Sequence, residues 1–256
     1  MTTLLTDLRS ATLTISLNRP ERANAFDFEM IAELQGALKQ AARDAQVRCL
    51  VLTGAGRAFS AGHDVTEMLA AQGQDVSYRE HLQQTYNPLI LQIRRLEKPV
   101  IAAVNGPAAG AGLGVALACD LRIAADTALF TVGFTGIGLV PDSAVSLLLP
   151  ALIGLGRAAE LTFSNQPITA AQALAWGLVN RVTAEADLAE ETARFAAGLA
   201  AGPLGAYGLT KRLFNKTTLS NLEEALDYEA HMQEIARRGE EHINGVRAFL
   251  EQRGAG

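Results

Sequence analysis

The chain reads as an α/β protein, with a core of alternating strands and helices over residues 1–200 and a helical region over residues 201–256. Three observations predict this. Short apolar or two-periodic segments alternate with helical ones through the first half, the signature of βαβ units. From Asp187 onward the spacing is helical almost throughout. The 256 residues, 49% hydrophobic and 19% charged, suffice to bury a large core.

ATLTISL, Ala11 to Leu17, alternates Thr and Ser with Leu and Ile as a half-buried strand does. NRPERANAF follows as a loop. Asp27 is placed to cap a helix running to about Arg43, with Phe28, Ile31, Leu34 and Leu38 on its apolar face. VRCLVLTG is a buried strand ending at Gly54, and GAGRAFSAGHD is the loop after it. Residues from about Val65 to Asp75 carry polar and small side chains without a period and are expected to be mobile. A single helix is expected from Ser77 to Leu96. Pro99 then opens the buried strand PVIAAVNG.

Asn105 to Asp120, NGPAAGAGLGVALACD, packs glycine, alanine and one proline into a turn that passes into an apolar segment. Such a turn lets bare backbone N–H groups approach a ligand. If a helix begins near Ala111, its first N–H groups lack internal partners and can grip an oxygen that gains negative charge. That points to chemistry on a carbonyl. The same composition also suits a turn that packs a helix closely on a sheet.

DLRIAAD and FTVGF read as further strands, followed by a turn at GLVPDS and a short helix ended by Pro150. ITAAQALAWGLVNRV gives a helix capped at Thr169 and closed by Gly177, then a short strand. The last helices, through EEHINGVRAFLEQR with Ile243, Val246 and Leu250 on one side, need a cover. Their own core and a partner subunit are both open.

A net charge of −5 gives no general attraction to nucleic acid or anionic membrane. No apolar run reaches the roughly 18 residues of a membrane span. Cys49 and Cys119 sit in apolar runs and no secretory signal is seen, so free thiols in a reducing cytoplasm are expected. No metal-ligand spacing appears among the four histidines and two cysteines.

NRPERANAF, LTGAGRAFSAGHDV, KPVIAAVNGPAAGAG, GIGLVPDS and TAAQALAWGLVNRV lie in one order over essentially the whole chain. This order resembles the crotonase superfamily, also called the enoyl-CoA hydratase/isomerase family. The resemblance implies a spiral of ββα units with C-terminal helices that build a homotrimer or a hexamer of two trimers. It implies acyl-CoA thioesters as substrates, with coenzyme A part of the substrate and no separate cofactor. It places an oxyanion hole at the backbone N–H groups of His63 and Ala111, beside Gly110. The His63 imidazole is then either a side chain at the pocket rim or a base. Coenzyme A would meet Arg22 and Arg57 with its phosphates, and Ala23, Ala25, Ala61 and Asp64 with its adenine. Lys211, from this or a neighbouring subunit, would add charge. Each of these cations equally suits a solvated surface.

The hydratases of the family carry two glutamates. One lies six residues before the aspartate of the CD pair and the other fourteen after it, which here are Gly114 and Phe134. Neither residue can carry a proton or hold water by charge. Asp142 in GLVPDS matches instead the aspartate of two relatives, the ring-epoxide-CoA isomerases of phenylacetate breakdown and 4-chlorobenzoyl-CoA dehalogenase. The dehalogenase's histidine and tryptophan positions read Asn87 and Phe134, whereas YNPL at Tyr86 matches the isomerases. The resemblance therefore implies an isomerase with Asp142 as proton shuttle and Phe134, Leu139 and Val140 as its apolar wall. A second reading makes Asp142 the cap of the following helix. Ala144 and Val145 stand where relatives have glycines. Hydration of 2-enoyl-CoA and non-catalytic acyl-CoA binding are the alternatives. The acyl group would be selected by the segment from Met68 to Pro88.

Overall fold

The alternating residues of Cys49–Gly54 explain the layering, because successive side chains of a strand face opposite sides of a sheet. In the computed structural model, which describes residues 2–66 and 77–254, Leu50 and Leu52 enter the main core while Cys49 and Val51 enter a second cluster on the other side. This strand, β3, lies within a six-stranded sheet. Its order is β1 (Leu4–Arg9), β2 (Thr12–Leu17), β3, β4 (Val100–Val104), β6 (Leu121–Ala125) and β9 (Arg181–Thr183). β1 and β2 form an antiparallel hairpin through Ser10 and Ala11, both left-handed, and every later pairing in the sheet is parallel. A small second sheet joins β5 (Ala108–Ala109), β7 (Leu129–Thr131) and β8 (Ile168–Thr169).

Helix α1 (Phe28–Arg43) starts where Asp27 accepts from the Met30 N–H at 2.8 Å. Met30, Ile31, Leu34, Leu38 and Ala41 are its buried face. Phe28, expected on that face, is 55% exposed and meets the His81 ring edge-on instead.

The expected helix from Ser77 to Leu96 is two helices, α2 (Tyr78–Gln84) and α3 (Tyr86–Arg95). Pro88 causes the break: it has no N–H for the Gln84 carbonyl and its ring crowds that oxygen, so Thr85 leaves the helical conformation. Residues 67–76, which include most of the expected mobile segment and part of the proposed acyl-selecting one, lie outside the described residues.

Gly110 precedes α4 (Ala111–Ala118), which is buried on every side. The strand expected at FTVGF covers only β7, because Gly133, at φ +82°, turns the chain away. Helix α5 (Val145–Ile153) does not stop at Pro150. It runs through it to Gly154, whose N–H bonds the Pro150 carbonyl at 2.9 Å. Burial of Val145, Leu148, Leu149 and Ile153 outweighs the one hydrogen bond that Pro150 cannot donate.

Helix α6 (Leu155–Ser164) leads to α7 (Ala170–Trp176), which opens on a capping box between Thr169 and Gln172 and closes on left-handed Gly177. Helix α8 (Leu188–Ala201) covers the far face of the sheet with Leu188, Ala196 and Ala200. Then come α9 (Leu204–Thr218), α10 (Leu222–Ala236) and α11 (Glu240–Gly254). Leu222, Leu226 and Ala230 of α10 enter the main core, so the helical region is partly packed on its own chain. Leu209, Leu213, Phe214, Tyr228 and Ile235 remain exposed. Cys49 and Cys119 are free and buried. Among the described residues, no helix is long and apolar enough to cross a membrane.

Candidate active site

Two backbone turns meet because two residues are glycine. Gly62, at φ +90°, passes so close to the next turn that a Cβ would lie 2.9 Å from the Ala109 carbonyl oxygen and 3.2 Å from the Ala111 nitrogen. Gly110, at φ +54°, then turns the chain into α4. The Phe26 N–H donates to the Gly62 carbonyl at 2.7 Å and the Asp64 N–H to the Phe26 carbonyl at 2.9 Å, which leaves the His63 N–H between them unused. Among the described residues neither the His63 nor the Ala111 N–H has a backbone acceptor. Ala111 is the first residue of its helix, where an N–H has no internal partner. The structure thus brings together two idle donors from two separate turns.

Both turns line a cleft of about 410 Å³. Phe28, Val65, Tyr78, Leu82 and Tyr86 give it apolar surface, as do Phe134, Ile137 and Leu139. The His63 Nδ1 is 2.9 Å from the Tyr86 hydroxyl, and the His63 and His81 rings meet with centroids 4.9 Å apart. Burial, reinforced by His81, pushes the His63 pKa down to about 3, against the pull of Asp64. Burial pushes His81 down to about 4. Both rings are therefore neutral near pH 7. Among the described residues the His81 Nε2 is buried without a hydrogen-bond partner.

Asp142 lies in the same cleft and is 7% exposed. Its carboxylate accepts from the Ser143 hydroxyl and from the Gln233 amide, each at 2.7 Å. Burial raises its pKa to about 6 against both hydrogen bonds. It does not cap α5 with its side chain. The cap position is Ala144, and the free N–H groups of Ala144 and Ser146 donate to Glu229 at 2.8 and 2.9 Å. Ser143 and Ala144, at φ +55° and +63°, hold left-handed backbone without glycine.

The residues expected to meet coenzyme A divide. Ala61, Gly110 and Phe134 line the cleft. The Ala61 N–H donates to the Ala23 carbonyl at 2.9 Å, which joins the first two loops, and Ala25 is buried beside them. Arg22 and Arg57 are exposed on those loops. The Asp64 carboxylate is already held by Thr66 and Arg19, 2.7 and 3.1 Å away, and these bonds keep its pKa low despite burial. Lys211 is elsewhere. It does not line the cleft; it is 8% exposed and its Nζ donates to Asp120 at 2.7 Å, beside Arg94. Its charge is spent inside this subunit.

His81, Gln233 and Glu229 did not stand out in the sequence. Only the four-residue spacing of Glu229 and Gln233 on one helix face could have marked a shared role.

A profile of the enoyl-CoA hydratase/isomerase family matches residues 7–255. The chain belongs to that family. It is 40% identical over 251 residues to the 1,2-epoxyphenylacetyl-CoA isomerase of Escherichia coli, covering 98% of this chain and 96% of the relative. It is 36% identical over 231 residues to 4-chlorobenzoyl coenzyme A dehalogenase-2 of an Arthrobacter species, covering 90% and 83%. The fold is shared with an enoyl-CoA hydratase from Mycobacterium avium subsp. paratuberculosis, at a TM-score of 0.87 and 34% identity over 98% of this chain and 96% of that one. The architecture is thus that of the crotonase superfamily, and an acyl-CoA thioester substrate is consistent with that family.

Proposed function

We propose that this family member is an isomerase of acyl-CoA thioesters that moves a proton between carbons of the acyl group, with Asp142 as the carrier. One observation supports this above the rest: among the described residues Asp142 is the acid lining the apolar cleft, with its pKa raised by burial to about 6. A base poised near working pH both takes and returns a proton well.

The thioester oxygen would accept from the His63 and Ala111 N–H groups. Those donors lower the energy of the enolate, and losing one such donor costs on the order of 3 kcal/mol. The Asp142 carboxylate takes a proton from one carbon, and the electron pair left behind spreads onto the thioester oxygen. The protonated acid then delivers the proton to another carbon of the conjugated system. Nothing is gained or lost overall, and a double bond moves or an epoxide-derived ring opens. The aromatic residues of the cleft suit a ring-bearing acyl group, as the name of the Escherichia coli relative describes for its own substrate, and phenylacetate breakdown is the matching pathway. The exposed apolar residues of α9 and α10 suit a homotrimer or hexamer, and the work of the enzyme would be cytoplasmic.

Hydration is disfavoured by two residues. Gly114 carries no side chain and Phe134 no acid where the family's hydratases carry glutamates. Incubation with 2-enoyl- and 3-enoyl-CoA in deuterated water decides between the readings. Proton exchange without hydration, lost in Asp142→Asn, is the expected result. Robust hydration that survives Asp142→Asn would overturn the proposal, and acyl-CoA binding without exchange would leave a binding protein.

A further inference from the structure

Asp142 is held in place by a helix from the far end of the chain. On α10, Glu229 and Gln233 stand one turn apart and both reach the segment from Val140 to Ser146. The Gln233 amide donates to Asp142 Oδ2 and to the Val140 carbonyl, each at 2.7 Å, and its oxygen accepts from the Val140 N–H at 3.4 Å. Glu229 takes the Ala144 N–H on one carboxylate oxygen and the Ser146 N–H on the other. The two side chains are 2% and 4% exposed. A carboxylate taken that deep is costly unless its oxygens are used. Here they satisfy the first free donors of α5, which no local side chain caps. Those donors follow directly on two left-handed residues, Ser143 and Ala144. Such a turn persists only when its surroundings hold it.

We propose that Gln233 and Glu229 are positioning residues for Asp142: together they fix the strained turn that directs its carboxyl group into the cleft. This rests on the reading of Asp142 as the proton carrier. Gln233 acts on the carboxyl group itself and Glu229 on the backbone that presents it. Gly114 of α4 packs directly on the turn, and the apolar Phe134 and Leu139 line the same cleft as Asp142. The remaining titratable groups of the cleft are His63 and His81, both held neutral, and Tyr78 and Tyr86. Tyr78 keeps its proton, since burial raises its pKa. Among the described residues, Glu229 is therefore the ionisable carboxyl group beside Asp142, and burial, with Asp142 adding to it, raises the Glu229 pKa to about 7.

The test uses near-isosteric variants of the full chain, Gln233→Glu and Glu229→Gln, with Gln233→Leu as a second change at 233. Exposed Glu224→Gln on the same helix is the control. Proton exchange into an acyl-CoA is followed from pH 5 to 9. Both isosteric variants should lose about tenfold or more in kcat with KM within about threefold, because the thioester is still gripped while the acid is misplaced. Their acid limbs separate the two roles. Gln233→Glu removes a donor to the carboxylate and adds a like charge, so its limb moves to higher pH, by about half a unit or more. Glu229→Gln leaves its limb near the parent's, because a carboxyl group with a pKa of about 7 is already mostly protonated where Asp142 titrates near 6. A merely structural role for Gln233 would leave the Gln233→Glu limb in place. Folded variants with the parent's kcat and pH profile overturn the inference while Asp142→Asn remains inactive. Activity in Asp142→Asn instead overturns the functional reading beneath it. If Glu229→Gln does not fold, the two Gln233 variants decide alone.

Discussion

Gly114 packs against Ser143 so tightly that a methyl group on its Cα would lie 2.6 Å from the Ser143 Cβ and 2.7 Å from the Ser143 carbonyl oxygen. The turn that presents Asp142 thus occupies the space a side chain at 114 would need. Gly114→Ala should destabilise the fold by about 1–3 kcal/mol and push that turn out of place. Urea unfolding and the exchange assay on the same sample check both effects. Gly114→Glu should bring no hydratase activity, because the added carboxylate has no room beside Ser143.

Asp142→Asn should cut proton exchange by about a hundredfold or more and yet raise thermal stability at pH 8. The folded-state pKa, about 6, lies above the ordinary 3.8, so folding favours the protonated acid. The stabilisation this gives is fully present below pH 3.8 and is lost as pH rises through about 6. Above that pH the buried charge weighs against the fold, and asparagine removes it. Thermal unfolding at pH 5 and pH 8 checks the sign: the variant's advantage should be larger at pH 8. Equal melting shifts at both values would count against a buried, shifted Asp142.

The two cleft histidines work the other way. Their folded-state pKa values, about 3 for His63 and about 4 for His81, lie below the ordinary 6.5. Their contribution is complete above pH 6.5 and drains away as pH falls toward those lower values. His81→Phe keeps a ring against Phe28 and His63, removes a buried ring nitrogen, and takes away the His81 share of this acid sensitivity. It should stabilise the protein at pH 5 by about 1 kcal/mol and lower the pH of acid unfolding, read by far-ultraviolet circular dichroism.

Lys211→Met should weaken the fold rather than the binding of acyl-CoA. Asp120 accepts from Lys211 at 2.7 Å, from Arg94 at 3.1 Å and from the Val100 N–H at 2.9 Å. Removing one cation of that buried cluster should cost about 3 kcal/mol. Isothermal titration with an acyl-CoA should give the parent's affinity for the folded variant. A tenfold loss of affinity would return Lys211 to the phosphate site.

What the sequence discloses depends on how local the determinant is. The caps at Asp27 and Thr169, the closing Gly177 and the parallel strands are legible because their partners lie within a few residues or follow a fixed period. The break at Thr85 was legible in principle, since Pro88 removes one helical donor. Pro150 carries the same defect, and there the burial of α5 wins. A proline alone does not say which outcome holds. Phe28 has the helical spacing of its core neighbours but sits in the first turn, where the helix leaves the core for the cleft. The idle donors at His63 and Ala111 follow from glycines, and their meeting depends on the loop pairing. The partners of Asp142 were not legible. Gln233 lies 91 positions away and Glu229 bonds a turn residue 85 positions away. No local pattern encodes a contact over that span. The bond from Lys211 to Asp120, 91 positions away, has no local mark either, and in sequence that lysine looks like any cation on a helix.

The order of synthesis follows from where α10 lies. A nascent chain can emerge with both glycine turns, the cleft walls and Asp142 itself already in hand, and still lack Glu229 and Gln233. The side chains that hold the Asp142 carboxyl group and its turn are thus made well after the acid itself, and any change in how α10 docks is felt at Asp142.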